Sequence, residues 1–388
     1  MPRTRPAVLR RFHRAGRRRR SVKALGAALT AGALAFATPA GASPRGGFIS
    51  QLSTISTIAS TVPANGDVNP YGVVVEPRTT GALTAGHVLV SNFNNKKNDQ
   101  GTGTTIVDIA PDGTQRVFAQ IDGNALPGAC PGGVGLTTAL SILPGGWVVV
   151  GSLPTSDATS ATANEGCLIV LNSSGHVVET WSGSPINGPW DMTAVPTPFG
   201  AELFVTNVLN GTVAADGATV NGGTVVRIIV VELPGFAPLR ISTQVIATGF
   251  GERTDLNALV VGPTGVAIGA DGSLYVADAV HNRIARIDNP FFRYQPATNG
   301  GDTVSSGESL NAPLGLAIAP NGDILTVNGG DGNLVETTAH GTQLPPDLID
   351  NSGGPPPGNG ALFGLALTPN GNGIYFVDDA TNTLNLLH

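Results

Sequence analysis

The sequence has little charge, little cysteine and no long hydrophobic segment. Only 12% of its 388 residues are charged, and it has two cysteines. Its apolar run from Ala24 to Ala37 is shorter than the roughly 20 residues that a membrane-spanning helix needs, and no later segment could cross a membrane. Gly-x-Ser-x-Gly, His-Glu-x-x-His and Walker motifs are also missing, so the commonest signatures of hydrolases, metalloproteases and nucleotide-binding proteins are absent.

Positive charge is concentrated at the amino end. Ten of the 21 Lys and Arg residues precede Ser43, where there is no Asp or Glu. The remainder carries 11 basic and 27 acidic side chains, a formal balance of −16 (11 − 27). Such a surface repels nucleic acid and anionic lipid, so we expect neither as a partner.

The first 42 residues have the features of a cleavable export signal. A basic start is followed by the apolar run and by Ala40-Gly41-Ala42, a small-residue cleavage site. Arg19-Arg20 resembles a bacterial twin-arginine signal but lacks the usual polar residue before the pair, so an ordinary Sec signal is an equal alternative. We therefore expect an exported protein, either periplasmic or extracellular.

A two-strand phrase recurs six times after the signal. Its clearest copies are GPTGVAIGADGSLYVAD (262–278), GLAIAPNGDILTVN (315–328) and GLALTPNGNGIYFVD (364–378). Each copy places a Gly-containing turn between two apolar strands, which is typical of a tight hairpin. Weaker copies occupy residues 72–92, 139–152 and 191–207.

The repeats predict an all-β fold, a six-bladed β-propeller with four-stranded antiparallel blades. A third strand follows in every unit and a fourth in most. Strands this continuously apolar must be covered on both faces, and packing six sheets around an axis achieves that. The last unit ends after its third strand, so GFISQLSTISTIAS (47–60) is expected to complete it and close the ring. We expect a single domain over 43–388, with blade units starting near residues 70, 136, 189, 263, 313 and 362.

The repeat resembles the NHL repeat. The likeness rests on the Gly-apolar-Ala-apolar, Val-Ala-Asp and Asn-Arg-Ile elements of 265–284, and it is specific only in the last third of the chain. The resemblance implies a propeller distantly related to those of gluconolactonases and senescence-marker proteins. NHL propellers include scaffolds, ligand-binding ectodomains and a few enzymes, so the resemblance implies the fold more firmly than the activity.

Candidate site residues lie at the mouth of the expected axial channel. Second strands end on short polar residues that could bind a ligand or a cation such as calcium, or could instead hold turn backbone amides. First strands are entered by residues that could form an apolar binding collar or simply pack in the core. The candidate mouth residues are Tyr71, Asn92, Trp190, Asp191, Asn207, Asp278, Asn328, Phe363 and Asp378.

Long loops distinguish the first three blades. The segments 92–104, 152–167 and 207–224 join second to third strands on one end of the expected channel, here called the looped face, and their counterparts in the later blades are short. They indicate either tolerated loop growth or a one-sided ligand cleft. Cys130 and Cys167 fall on the same face, so in an oxidising compartment we expect them to form a disulfide; two free buried thiols are the alternative.

The family includes two enzyme branches, and this sequence lacks the metal-ligand set that each of them implies. Gluconolactonase-like propellers imply acidic or amide metal ligands at the first-strand entries, where this chain has mostly an apolar residue before glycine, and Asp191 is the only carboxylate nearby. A lyase branch implies a zinc ion held by histidines. The histidines here do not occupy equivalent blade positions and are expected in solvated turns: His87, His176, His281, His340 and His388.

The leading hypothesis is an exported NHL-type propeller that binds a small molecule, a polymer or a protein through the looped face. The alternative is a metal-dependent lactonase or hydrolase of the gluconolactonase-like group. We predict no metal and no cofactor for the leading hypothesis, with calcium the one cation considered. Whether the protein is an enzyme stays open at this point.

Overall fold

Six antiparallel sheets surround a central axis in the computed structural model, which describes residues 46–388. The inner strand of each sheet contacts the inner strands of the sheets on either side, and the second and third strands are mostly buried, whereas the outer strands are partly exposed. The predicted six-bladed propeller is therefore confirmed. The predicted export signal and its cleavage site lie outside the described residues, and no helix within these residues is long and apolar enough to cross a membrane.

Strands are numbered in chain order. Three short 3₁₀ helices cover Ile49–Gln51, Ser160–Thr162 and Pro290–Phe292. The strands are β1 (Ile55–Ser60), β2 (Val68–Val75), β3 (Val88–Asn94), β4 (Thr105–Ile109), β5 (Gln115–Gln120), β6 (Leu136–Ile142), β7 (Val148–Ser152), β8 (Cys167–Leu171), β9 (Val177–Trp181), β10 (Pro189–Thr197), β11 (Gly200–Asn207), β12 (Val220–Val231), β13 (Leu239–Asp255), β14 (Leu259–Val261), β15 (Pro263–Ile268), β16 (Leu274–Asp278), β17 (Arg283–Ile287), β18 (Asp302–Ser306), β19 (Pro313–Ile318), β20 (Ile324–Asn328), β21 (Asn333–Thr337), β22 (Asp347–Leu348), β23 (Leu362–Leu367), β24 (Ile374–Asp378) and β25 (Thr383–Leu387).

Each blade is a meander whose first strand lies nearest the axis. Blades 1 to 5 comprise β2–β5, β6–β9, β10–β14, β15–β18 and β19–β22. Blade 6 comprises β23, β24, β25 and β1. The outer strands of blades 4 and 5 carried no clear signal in the sequence; β18 has five residues and β22 only two.

The amino end closes the ring as predicted. Strand β1 pairs antiparallel with β25, from Ile55 opposite Leu387 to Ser60 opposite Thr383. The residues before β1 turn aside instead of extending the strand. The backbone amide of Phe48 donates to the buried Glu336 carboxylate at 2.6 Å, which fixes this segment on blade 5.

Glycines let the inner strands approach one another closely. A Cβ atom on Gly364 would collide with the carbonyl oxygen of Tyr71 in the next blade, and one on Gly315 would collide with that of Phe363. Every first-to-second strand pair also has an irregular register at this level, as expected where a strand bends around a hub. The equivalent positions in four blades form what we call the glycine ring: Gly72, Gly265, Gly315 and Gly364.

Blade 3 departs from the regular plan. Strand β13 is 17 residues long and continues past the outer edge of its blade, then turns back as β14, with Asp255 paired to Leu259. We call residues 252–261 the strap. Sequence patterns predicted four strands here, and the fifth was missed because it pairs only with the end of an unusually long neighbour.

The two ends of the axis differ in loop length. On the looped face, second and third strands are joined by 95–104, 153–166 and 208–219 in blades 1 to 3, but by only four residues each in blades 4 to 6. A further long segment, 349–361, enters blade 6 on this face. The opposite end, here called the hairpin face, carries the turns between first and second strands and between third and fourth strands.

Candidate functional site

Aromatic side chains close the axial channel at the looped face. The Tyr71 ring stacks on the Phe363 ring with centroids 4.0 Å apart and on the Phe93 ring at 4.5 Å. The Trp190 ring lies 5.7 Å from that of Tyr71, and none of the four side chains is more than 1% exposed. We call these four residues the aromatic plug. The predicted entry residues therefore meet in one cluster, together with Phe93, which the sequence did not single out.

The strap covers the aromatic plug. Ala258 and Leu259 are buried in the same apolar cluster as Tyr71 and Trp190. Gln100 of the blade 1 loop donates from Nε2 to the carbonyl oxygen of Leu256 at 3.0 Å. From the other side, the Nδ2 of Asn257 lies 3.2 Å from the Oδ1 of Asn359 in the segment that enters blade 6. The strap is thus held by loops of two other blades.

The predicted asparagines at the second-strand ends bind loop backbone. The amide of Asn92 donates to the carbonyl oxygen of Thr61 at 3.0 Å. The Oδ1 of Asn207 accepts the backbone amide of Asn187 at 2.9 Å. Asn328 donates to the carbonyl oxygen of Ser309 at 2.7 Å. Each amide thus fastens the segment that enters its own blade.

The two predicted aspartates at second-strand ends bind their own blade's loops. Asp278 accepts the Nε of Arg283 at 2.8 Å and the Nδ1 of His281 at 3.0 Å. Asp378 accepts the backbone amide of Thr381 at 3.0 Å. Within residues 46–388, no hydrogen bond joins any two of these five strand-end residues, and no three His, Cys, Asp or Glu side chains are grouped so that they could hold a metal ion.

Asp191 is separated from the other candidates. It lies one residue beyond Trp190 on β10, at the level of the glycine ring, and lines the channel beneath the aromatic plug. Its Oδ1 accepts the backbone amide of Met192 at 2.7 Å, and its carboxylate also contacts the amide of Val266 in the next blade. Burial raises the pKa of Asp191 to about 8, and the two amide contacts offset only part of that effect.

The channel opens at the hairpin face as a cavity of about 510 Å³, here called the axial cavity. Its walls are the second halves of all six inner strands. The lining is mostly aliphatic, with Asp191 and the hydroxyl-bearing residues Thr138, Ser141 and Thr193 as its polar side chains. The sequence placed the site at the other end of the axis and gave no sign that this end stays open.

A second concavity lies beside the strap on the looped face. This groove has a volume of about 350 Å³, with Ala258, Leu314 and Phe363 at its apolar floor. Its rim is polar: the Nη1 of Arg253 is 3.1 Å from the Oδ2 of Asp255. The remaining polar side chains of the groove come from the strap, from blade 5 and from the segment before blade 6: Asn257, Asn311 and Asn359.

The groove residues could have been suspected from spacing. Residues 249–262, between the blade 3 and blade 4 phrases, and 349–361, before blade 6, are longer than a turn requires. No motif marks either segment, and only the fold brings Asn257 and Asn359 together.

A disulfide joins Cys130 to Cys167, as predicted. It links the loop entering blade 2 to the start of the third strand of that blade on the looped face. Closing a loop of this length contributes about 3–4 kcal/mol in the loop-entropy model. Such bonds are typical of proteins outside the reducing cytosol.

Two histidines have defined partners. The Nδ1 of His87 lies 2.8 Å from the Oδ1 of the buried Asp108, and His281 contacts Asp278 as described above. The half-buried His87 imidazole is therefore anchored, whereas His281 is an exposed turn residue, as expected, that also contacts an aspartate.

Comparison with known proteins identifies the fold. No family model matches the chain, and no curated protein matches its sequence. A virginiamycin B lyase from Staphylococcus aureus is 15% identical over 86% of this chain and 99% of that chain, with a TM-score of 0.51. Regucalcin, a calcium-binding protein from Agrobacterium tumefaciens, is 11% identical over 86% and 93%, with a TM-score of 0.54. The PQQ-bound aldose sugar dehydrogenase of Streptomyces coelicolor is 15% identical over 86% and 98%, with a TM-score of 0.52.

These likenesses concern the six-bladed propeller alone. The fold expected from the repeats is shared with proteins of lyase, calcium-binding and dehydrogenase type. The NHL assignment is compatible with them and stays a prediction.

Proposed function

We propose that the protein is an exported, non-catalytic binding module that takes a polypeptide partner on its looped face. The observation that carries the proposal is the groove beside the strap, which has an apolar floor, a polar rim and an exposed leucine next to it. Leu256, at the tip of the strap, is 97% exposed.

The groove has the composition of a protein-recognition site. An apolar side chain of a partner could enter the groove over Leu314 and Phe363, while the asparagines on the rim supply donors and acceptors for a peptide backbone. Leu256 adds an apolar contact directly beside it. Because the aromatic plug and the strap seal the channel beneath, a partner on this face binds on the surface and does not enter the hub.

Export supports the same proposal. The predicted signal over residues 1–42, the acidic remainder and the disulfide fit a protein that works outside the cytosol, in the periplasm or the medium. The long loop of blade 1 contributes by holding the strap through Gln100.

Exposed apolar residues on the two faces allow a matched test. The secreted protein is immobilised, binding partners are captured from the culture medium and identified by mass spectrometry, and binding is then measured with the purified partner. Leu256→Asp is expected to weaken binding roughly tenfold or more, as for a central interface residue. Phe236→Asp changes a residue that is 66% exposed in the third-to-fourth strand turn of blade 3, on the hairpin face, and should leave binding unchanged.

The same two variants can also contradict the proposed recognition by the looped face. Equal binding by wild type and Leu256→Asp, or a loss seen only with Phe236→Asp, contradicts recognition by the looped face. Neither side chain is packed, so unfolding temperatures should match the wild type within about 1 °C.

A metal-dependent hydrolase is the second candidate, and one carboxylate pair favours it. The hydroxyl of Ser352 lies 2.5 Å from the Oδ1 of Asp350 and 3.3 Å from the Oδ1 of Asp378, in a cavity of about 390 Å³. Burial and the neighbouring Asp350 raise the pKa of Asp378. A calcium ion would relieve the repulsion between two such acids.

Thermal unfolding with added calcium, zinc or magnesium separates the candidates. The hydrolase hypothesis expects a rise in unfolding temperature with one of these ions in the wild type and none in Asp350→Asn. No shift with any ion contradicts it and leaves the binding module.

A further inference from the structure

The axial cavity is a cup-shaped site that is closed at one end. The aromatic plug and the glycine ring close it toward the looped face, and its mouth is on the hairpin face. Its volume of about 510 Å³ falls within the range of sites that enclose small organic ligands. Aliphatic side chains from all six inner strands, among them Val74, Ile268 and Ile318, form the wall.

Asp191 is the only ionisable side chain among the residues that line this cup. Its carboxylate accepts backbone amides on two neighbouring inner strands and has no cationic partner. The residue at the same position in four other blades is glycine, so the carboxylate marks one side of an otherwise apolar ring. Asp191 is half-buried in this apolar wall, a carboxylate there without a countercharge is costly, and a cation supplied by a ligand would compensate it.

The other polar side chains of the lining carry hydroxyls. Thr138, on the neighbouring blade, is only 6% exposed, and its hydroxyl oxygen is buried in the wall and does not face the cavity. Asp191 is thus the one charged acceptor among the lining residues. An ammonium has three donors and could pair with this carboxylate.

We propose that the axial cavity binds a small primary ammonium compound with an apolar body, its charged end at Asp191 and its body against the aliphatic wall. An anion finds no cationic side chain among the lining residues, and a hydrocarbon would leave the Asp191 carboxylate without a countercharge. This site is on the opposite face from the groove and does not depend on the proposed partner binding.

Binding should be linked to proton release. Because burial raises the pKa of Asp191 to about 8, its carboxyl is mostly protonated at neutral pH and must ionise to pair with an ammonium. Strands β6, β7, β11 and β15 pack against β10, and the only titratable side chain that they carry is Glu202. Glu202 faces Arg227 at 3.8 Å and does not line the cavity. Affinity should therefore rise as the pH increases from 6 to 8.

Phenethylammonium and 2-phenylethanol form a matched pair of probes, since they differ mainly in charge. Isothermal titration of the full exported chain at pH 8 is expected to show phenethylammonium binding roughly tenfold or more tightly than the alcohol. The ammonium stays protonated between pH 6 and 8, so its affinity should fall roughly tenfold or more on moving to pH 6. Repeating the titration in buffers of different ionisation enthalpy reports the released proton directly.

Asp191→Asn is the decisive variant. Asparagine keeps an oxygen for the Met192 amide, so the fold should survive, and circular dichroism with a cooperative unfolding curve checks this. The preference for the ammonium and its pH dependence should both disappear. If Asp191→Asn does not fold, Ala317→Phe, which narrows the cavity from β19, should abolish binding of both probes.

Three results would overturn the proposal. They are no measurable binding of phenethylammonium, equal affinity for the ammonium and the alcohol, and unchanged ammonium binding in Asp191→Asn. Leu256→Asp serves as the control for the other face and should bind phenethylammonium as the wild type does.

Discussion

The two ends of the axial channel are built from the same six inner strands and have opposite properties. At the looped face the strands begin with Tyr71, Trp190 and Phe363, and these rings fill the hub. At the hairpin face the same strands end in aliphatic residues such as Ile268 and Ile318, which leave a cup. Aromatic rings from three of these strands, together with Phe93 and the strap, therefore close one end, whereas aliphatic residues leave the other open.

This comparison separates stability from recognition. The closed end gains from packed aromatic rings and from a strap held by Gln100 and Asn359, so its surface above the plug is free to recognise a partner. The open end leaves the Asp191 carboxylate without a partner other than backbone amides, which is typical of a ligand site. Blades alone do not determine function; the residues at their two ends do.

The largest expected effect comes from the closed end. Tyr71→Ala removes a ring that is fully buried between Phe93 and Phe363, and it should lower the free energy of unfolding by about 3–5 kcal/mol, as for other large-to-small core changes. Ile318→Ala removes a half-buried side chain at the open end and should cost about 1 kcal/mol. Chemical denaturation of both variants measures the difference. Similar losses would mean that the aromatic plug is no more important for stability than the cavity wall.

An intermediate effect is expected at the level between the ends. Gly364→Ala would force a Cβ atom against the carbonyl oxygen of Tyr71 and push two inner strands apart, at a cost of about 2–3 kcal/mol. Gly123→Ala is the control, because its Cβ would make an ordinary 3.5 Å contact with Val134. This control should be neutral or slightly stabilising. If Gly364→Ala is equally neutral, the inner strands can move apart to accept a Cβ atom. The glycine ring would then not be required to close this end of the channel.

The fold could be predicted because it follows from short sequence patterns that repeat along the chain. Six hairpin phrases with continuously apolar strands specify six blades, and the missing outer strand of the last blade specifies closure by β1. The Cys130–Cys167 bond followed from the same scheme, since blade order places both residues on one face.

The details of the candidate site could not be predicted, because they depend on distances across the ring. Whether Tyr71, Trp190 and Phe363 form an open collar or a plug is decided by the hub diameter, and the glycine ring sets that diameter through contacts between blades. The strap depends on Gln100 and Asn359, which are far from it in sequence. Asp191 was predicted as a candidate site residue. That it lines the open end of the channel could not be predicted, because this depends on which side of Asp191 the aromatic plug lies.

The smallest expected effect tests the base of the strap. The buried Glu252 begins the strap, and neither of its carboxylate oxygens has a hydrogen bond of good geometry. Burial raises the pKa of Glu252 to about 7, and the nearby Thr212 hydroxyl and Asn210 amide offset only part of this. Between pH 4.5, the pKa of Glu252 in the unfolded chain, and about pH 7, its pKa in the folded chain, the folded chain keeps a proton that the unfolded chain has lost. The free energy of unfolding therefore falls as the pH rises from about 4.5 to 7.

Glu252→Gln resembles the protonated side chain and should remove this part of the pH dependence. At pH 5 the variant should match the wild type, and at pH 8 it should be more stable by about 1–2 kcal/mol. Asp191 and Asp379 titrate in the same direction, with pKa values of about 8 and about 7, so denaturation curves must be compared as variant minus wild type at each pH. Glu165→Gln, an exposed change on the looped face, is the control and should differ by less than about 0.5 kcal/mol at both pH values. A difference for Glu252→Gln that does not change with pH would mean that this carboxylate is ionised in the folded protein, and that the strap covers the closed end less tightly than its contacts indicate.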